Sequence, residues 1–182
     1  EKALALRSHG IVKSSKLSKK NGNWFYKINN LGFNYRISDI NSALGLSQIK
    51  KINKFISKRR RIAKIYDKNF SNIEKIHIPK TNRYVKHAYH LYVMLIDFKN
   101  FKIKKKTFFE KLFKLGINLQ VHYIPLHYHN HIKKIVLKKK VSFPNAENFY
   151  KRAVSLPIYY DLTYSDQIKV ITNIKKILKI EN

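Results

Sequence analysis

Cysteine is absent from the 182 residues, which excludes a disulfide framework, a thiolate metal site and a cysteine nucleophile and fits a cytoplasmic protein. Glycine occurs five times, and neither a GxGxxG nor a GxxxxGK phosphate loop is present. Acidic residues number ten and are scattered, so no carboxylate pair supports glycoside chemistry. No apolar run approaches the roughly 20 residues needed to span a membrane, and no apolar leader of the secretory kind opens the sequence. No Ser-His-Asp order follows from spacing, and no internal repeat is visible.

Positive charge is abundant: the formal net charge is +29. Of the 39 basic residues, 32 are Lys and 7 are Arg, and Lys, Ile and Asn together supply 73 of the 182 positions. All three have AT-rich codons, which makes genome composition the source of the charge. Arginine is the better fork for phosphates and bases. We therefore read a solvated Lys-rich surface and expect no nucleic-acid partner. A nucleic-acid-binding module using that surface is the alternative from another functional class, marked by steep salt dependence.

Along the chain, Asn21-Gly22-Asn23 and Asn29-Asn30 are turn signals. The Lys-rich stretch 13–20 reads as a surface loop, and Trp24, Phe25 and Tyr26 read as a short strand or packed loop. Residues 38–70 read as one long helix with Ser38 or Asp39 as N-cap. Ile40, Leu44, Ile52, Phe55, Ile62 and Tyr66 recur near multiples of 3.6 and form one apolar stripe. The basic run Lys58, Arg59, Arg60, Arg61 on it reads as a solvated face. Residues 89–97 read as a buried strand. Residues 107–115 read as a helix with Phe108, Phe109, Leu112 and Phe113 inward, closed by Gly116 at positive φ. Residues 117–123 read as a strand that Pro125 stops, residues 145–154 as a helix, and 165–179 as a terminal helix with a loose capping box of Thr163 and Asp166. This order gives an α/β layer, α+β in its C-terminal part.

His122, His127, His129 and His131 crowd one segment. Imidazole is the commonest metal ligand, but Pro125 and Asn130 point to a turn rather than a shared strand face, and no acidic residue lies nearby in sequence to complete a carboxylate–histidine set. We expect no metal here, and a pocket-lining role for one or two of these side chains.

Four segments carry a family resemblance. Residues 31–48 read LGFNYRISDINSALGLSQ. Upstream stands Arg7-Ser8-His9-Gly10. Downstream stand Gln120-Val121-His122-Tyr123-Ile124-Pro125, then Ser155-Leu156-Pro157 followed by Leu162-Thr163. In order and spacing they resemble the G-F-N-Y-R, R-x-H-G, HYxP and SLP…LT segments of the DegT/DnrJ/StrS sugar aminotransferases, across nearly the whole chain. QVHYIPLHYH and NAENFYKRAVSLP are most similar to the branch of that family that serves pseudaminic-acid synthesis.

The resemblance implies the C-terminal portion of a fold-type I PLP-dependent transferase. Residues 1–37 would end the large PLP-binding domain, 38–70 would be the linking helix, and 71–182 the small C-terminal α/β domain. The implied activity moves an amino group from glutamate to a UDP-linked 4-keto-6-deoxy sugar for surface-glycan synthesis. The cofactor is pyridoxal 5'-phosphate, held by a lysine that the family carries upstream of R-x-H-G. None of the lysines here matches that motif, so no catalytic residue is assigned, and the chain is expected to be an inactive C-terminal fragment. A noncatalytic regulator that keeps the family fold is the remaining alternative. The implied partners are the nucleotide-sugar, the amino-acid donor and a second copy in a homodimer, with no membrane. Across that dimer, Asn34 would reach the partner's cofactor phosphate and substrate; a turn residue before a helix is its other reading. Arg36 would assist near phosphate, or pair internally with Asp39. Gln120, Val121, His122 and Tyr123 would line the sugar-nucleotide side, strand packing being the other reading of Tyr123.

Overall fold

The computed structural model describes residues 2–139 and 141–180. They form two compact units, Glu1–Ile52 and Asn53–Asn182.

The first unit contains α1 (Lys2–Arg7), β1 (Ile11–Val12), α2 (Ser15–Asn21), β2 (Lys27–Ile28) and α3 (Asp39–Ile49). β1 and β2 are antiparallel, with Ile11 opposite Ile28. The stretch 13–20, expected as a loop, is largely helix. Ser14 Oγ accepts the Leu17 amide at 3.2 Å, which satisfies a free N–H of the first turn. The Trp24–Tyr26 run packs little: Trp24 is 79% exposed, and β2 begins only after it. Two of the resemblance segments meet as backbone. Phe33 donates to the Leu6 carbonyl at 2.6 Å, His9 to Phe33 at 2.9 Å and Tyr35 to Arg7 at 2.9 Å. Glycine makes this approach possible. A Cβ on Gly32 would lie 2.0 Å from the Gly10 nitrogen, and one on Gly10 would lie 1.8 Å from the Asn30 oxygen. Gly10 also has φ +71°, which favours glycine.

One helix was expected over 38–70; the structure has two. Ser38 is the N-cap, its Oγ accepting the Asn41 amide at 3.4 Å. α3 ends at Ile49, where Lys51 bonds back three residues to the Gln48 carbonyl at 3.0 Å, a tightening typical of helix ends. α4 (Ile52–Phe70) then starts. No residue of α3 is buried, whereas α4 buries Ile62, Ala63, Tyr66 and Phe70. The packing that turns periodicity into a continuous rod exists only in the second half.

The second unit continues from α4 with β3 (Ile76–His77), β4 (Tyr92–Ile96), α5 (Lys105–Lys114), a 3-10 turn (Leu126–Tyr128), α6 (Asn130–Lys139), α7 (Pro144–Arg152), β5 (Ala153–Leu156) and α8 (Tyr164–Leu178). The sheet is antiparallel in the order β3-β4-β5. β4 alternates as a half-covered strand does, with Tyr92, Met94 and Ile96 buried. They join Tyr66 and Phe70 of α4, Phe108 and Leu112 of α5 and Ile174 of α8 in one core. Truncating a residue such as Phe108, which has no exposed surface, costs about 3–5 kcal/mol. Phe113, expected inward, is 66% exposed. It lies on the ridge of Phe109, one position around from the buried Phe108–Leu112 pair, and turns to solvent.

Two further expectations change for the same reason. Residues 117–123 keep the alternation of a strand, with Ile117 and Leu119 buried and Asn118 and Gln120 exposed. They form only one bridge, in which Gln120 and Ser155 exchange backbone bonds at 3.3 and 2.8 Å. The helix expected over 145–154 ends at Arg152, and Ala153 and Val154 enter β5, where all four residues are buried against β4. Sheet pairing and burial override local helix preference there. Gly116 has φ +75° as expected. Thr163 caps α8 by accepting the Asp166 amide at 3.0 Å.

Tyr89, just before β4, has φ +48°. A non-glycine residue in this region costs about 1–2 kcal/mol, so surrounding contacts must hold it.

Candidate functional site

Each unit carries a concave site. In the first unit a cavity of about 770 Å³ is lined by residues including Lys2, Arg7, Ser8, His9, Lys13 and Arg36. Four of these side chains are cationic, and no carboxylate of the described residues lines the space, which suits an anion such as a phosphate. Arg36 Nη2 lies 3.0 Å from His9 Nε2. Because guanidinium only donates, His9 accepts through Nε2 and carries its proton on Nδ1. Arg36 thus meets His9, and no ion pair joins it to Asp39 among the described residues. Asn34 bridges Ser8 through the backbone. Its side chain is exposed and has no hydrogen-bond partner among the described residues.

In the second unit a pocket of about 180 Å³ is lined by residues including His90, Asn118, Gln120, His122, Ser155 and Ile158. The period-2 alternation of residues 117–122 builds one wall: Asn118, Gln120 and His122 share a face while Ile117 and Leu119 anchor it in the core. Ser155 is buried in β5, and its Oγ lies 2.8 Å from His122 Nδ1. No lysine, arginine or carboxylate of the described residues lines the pocket. It is smaller than the roughly 300–1,000 Å³ of whole-ligand sites, so it fits one uncharged, hydrogen-bonding ring.

Of the expected substrate residues, Gln120 and His122 come together here. Val121 and Tyr123 are not lining residues, and Tyr123 is 75% exposed with its ring edge-on to His122 at 4.7 Å. His90 and Ser155 were missed as site residues. Ser155 lies inside the SLP segment, and His90 had no signal beyond its place before the strand. His127 acquires an acidic neighbour that the local sequence did not offer, Glu147 of α7 at 3.1 Å. No cluster of three or more metal-ligating side chains occurs among the described residues, and none of their helices is long and apolar enough to cross a membrane.

The basic run on α4 is not a free solvated face. Arg59 Nη1 donates to the carbonyls of Tyr89, His90 and Ile158 at 3.0, 3.0 and 2.9 Å. Arg60 Nε donates to the His87 carbonyl at 2.9 Å. Three consecutive arginines, in a chain where lysine is the common base, were the available signal.

Residues 1–175 match the DegT/DnrJ/EryC1/StrS aminotransferase family. The chain belongs to this family. It is 42% identical to MJ1066 of Methanocaldococcus jannaschii over 98% of its own length and 46% of that protein's. It is 37% identical to the UDP-4-amino-4,6-dideoxy-N-acetyl-beta-L-altrosamine transaminase of Campylobacter jejuni, over 91% of this chain and 42% of the relative. Helicobacter pylori PseC, an aminotransferase of pseudoaminic acid biosynthesis, superposes with a TM-score of 0.76 at 30% identity, over 97% of this chain and 45% of that one. Solved neighbours of the same fold include a PLP-form and a PMP-form. The DegT/DnrJ/EryC1/StrS chain described here therefore spans less than half the length of these relatives. Its mixed helix and sheet matches the corresponding part of the fold-type I transferases.

Proposed function

We propose that this chain is the C-terminal part of a PLP-dependent sugar aminotransferase, acting in the cytoplasm as a homodimer with glutamate as donor and a UDP-linked 4-keto-6-deoxy sugar as acceptor. The observation that carries the reading is the pair of unlike sites. The cavity of the first unit is lined by four cationic side chains and, among the described residues, by no carboxylate, as suits a phosphate. The pocket of the second unit is neutral and rich in amides and imidazoles, as a sugar or base ring requires. Residues 1–37 then belong to the large domain, 38–70 to the link and 71–182 to the small domain.

Pyridoxal 5'-phosphate, when bound, supplies the electron sink for amino transfer. In this reading its lysine lies upstream of the 182 residues. Arg36 balances phosphate charge, with His9 orienting its guanidinium. The exposed Asn34 amide, without a hydrogen-bond partner among the described residues, donates toward phosphate or substrate of the partner subunit without adding charge. Leu31, Phe33, Tyr35, Ile37 and Ile40 are exposed, and a contiguous apolar segment of this kind suits a covered interface. Gln120 and His122 hold the sugar-nucleotide.

The experiment is made in the intact parent enzyme. Asn34→Ala is expected to cost about 1.5–3 kcal/mol, one hydrogen bond to a charged group. That corresponds to a roughly tenfold to hundredfold fall in kcat/KM with dimerisation retained. Mixing the Asn34→Ala dimer with a cofactor-lysine mutant dimer should return about one active site per heterodimer, since each site takes Asn34 from one subunit and the lysine from the other. Full activity of Asn34→Ala overturns the assignment. For the chain alone, borohydride reduction with PLP followed by peptide mapping should find no single stoichiometrically labelled lysine.

A further inference from the structure

We propose that Arg59 is a positioning residue that fixes both walls of the His90–His122 pocket. Its place is on α4, outside the pocket lining, yet one guanidinium nitrogen reaches three carbonyls within 3.0 Å. Two of those carbonyls belong to lining residues, His90 before β4 and Ile158 after β5. A single N–H₂ has two hydrogens for three acceptors, so one hydrogen is shared and the three carbonyls must converge on one point. Convergence of the Tyr89–His90 segment with Ile158, far along the chain, requires a fixed centre, and Arg59 supplies it.

The backbone of the His90 wall needs such a centre. Tyr89 sits at φ +48°, and this left-handed turn is what brings the Tyr89 and His90 carbonyls to one donor. The remaining contacts support the same turn: His87 Nδ1 accepts the Tyr89 amide at 2.9 Å, Arg60 holds the His87 carbonyl, and the Tyr89 ring stacks on Tyr92 at 6.3 Å. Strain held next to a pocket is a feature of pre-organised sites. The opposite wall is tied to the same helix a second time, because Tyr66 donates to the Pro157 carbonyl at 2.9 Å. α4 thus grips residues 157 and 158 with two side chains, and through Arg59 links them to His90. Lysine in place of Arg59 lacks the planar fork and offers a compact ammonium on a mobile stem, so it holds one or two of the carbonyls but not the set.

The consequence for ligand binding rests on the pocket being the substrate end proposed above; the consequence for His90 does not. The test uses the 182-residue chain with ¹⁵N-labelled histidine, its Arg59→Ala and Arg59→Lys variants, and UDP-N-acetylglucosamine as probe. Arg59→Ala should move the ring signals of His90 and His122 while those of the exposed His129 and His131 stay. Probe affinity should fall about tenfold, the effect of a mispositioned site. Millimolar methylguanidinium should restore both, since it refills the donor position; Arg59→Lys should fall between. Unchanged His90 and His122 signals in Arg59→Ala overturn the proposal. So does an equal shift of all histidines, His129 and His131 included, in an Arg59→Ala chain that still folds. If Arg59→Ala does not fold, Arg59→Lys decides, and wild-type His90 signals in it overturn the proposal. If the wild-type chain does not bind the probe, the substrate reading of the pocket fails, while the histidine signals still decide the role of Arg59.

Discussion

His122 and Ser155 stand 33 positions apart in the chain, and the Nδ1 of one lies 2.8 Å from the Oγ of the other. The hydroxyl comes from a buried strand and the imidazole from an extended segment that touches that strand at a single bridge, Gln120 with Ser155. The side-chain bond therefore ties the segment a second time to the residue that makes the bridge, from two positions further along the chain. It also fixes the ring, so that Nε2 is the nitrogen left free for a ligand.

Ser155→Ala should release that ring. A lost neutral hydrogen bond costs about 0.5–1.5 kcal/mol of stability, and removing a buried hydroxyl opens little space. Binding of UDP-N-acetylglucosamine should weaken more than stability does, because His122 then samples several orientations. Calorimetry of both properties on the same variant checks this. Ser155→Thr keeps the hydroxyl and should retain binding if the larger side chain is accommodated.

The glycines give a prediction with opposite signs. Gly32→Ala drives a methyl into the Gly10 backbone, and Gly10→Ala adds the strain of φ +71° to a clash with the Asn30 carbonyl. Gly32→Ala should destabilise the first unit by about 1–3 kcal/mol, the cost of overpacking, and Gly10→Ala by about 2–5 kcal/mol, because left-handed backbone adds to that cost. A Cβ on Gly45, within α3, meets nothing within 4 Å. Gly45→Ala should stabilise that helix by about 0.5–1 kcal/mol. Limited proteolysis of the segment between α1 and α3 reports both directions.

The alkaline limit of stability is set by groups of the second unit. Burial pushes Lys105 down to about 8, although the Tyr150 carbonyl at 2.6 Å and the Tyr150 ring favour its charged form. An unfolded lysine keeps its proton to about 10.5, so between these values the unfolded chain binds more protons and stability rises with pH. Tyr66 and Tyr92 behave in the opposite way. Burial raises both above the ordinary 10.0, with the Asp67 carboxylate adding to the effect at Tyr92, whose hydroxyl donates to it at 2.6 Å. Above 10 the unfolded chain releases protons that the folded chain keeps, and stability falls. Urea midpoints measured from about pH 7 to about pH 11 should rise and then drop. Lys105→Met should remove the rise, and Tyr92→Phe should soften the drop at the expense of lower stability near neutrality.

The terminal helix, its Thr163–Asp166 cap, the positive-φ Gly116, the β4 strand and the family were legible from residue order alone, because each is specified by neighbours a few positions apart or by motifs of fixed spacing. The unbroken helix over 38–70 was misread because periodicity states which residues share a face but not whether that face is covered; α4 is covered by Tyr92, Phe108 and Ile174, whereas α3 buries none of its residues. Residues 153 and 154 became strand rather than helix because they pair with Leu95 and Met94 of β4, far away in sequence. The arginine run and the SLP segment marked Arg59 and Ser155 as residues, but not what either one touches. An arginine that answers carbonyls 30, 31 and 99 residues away carries no mark of them in its own neighbourhood. Sequence determined the residue types that line the pocket of the second unit; only the tertiary structure decided which of them converge there, since that convergence depends on the packing of the sheet against α4.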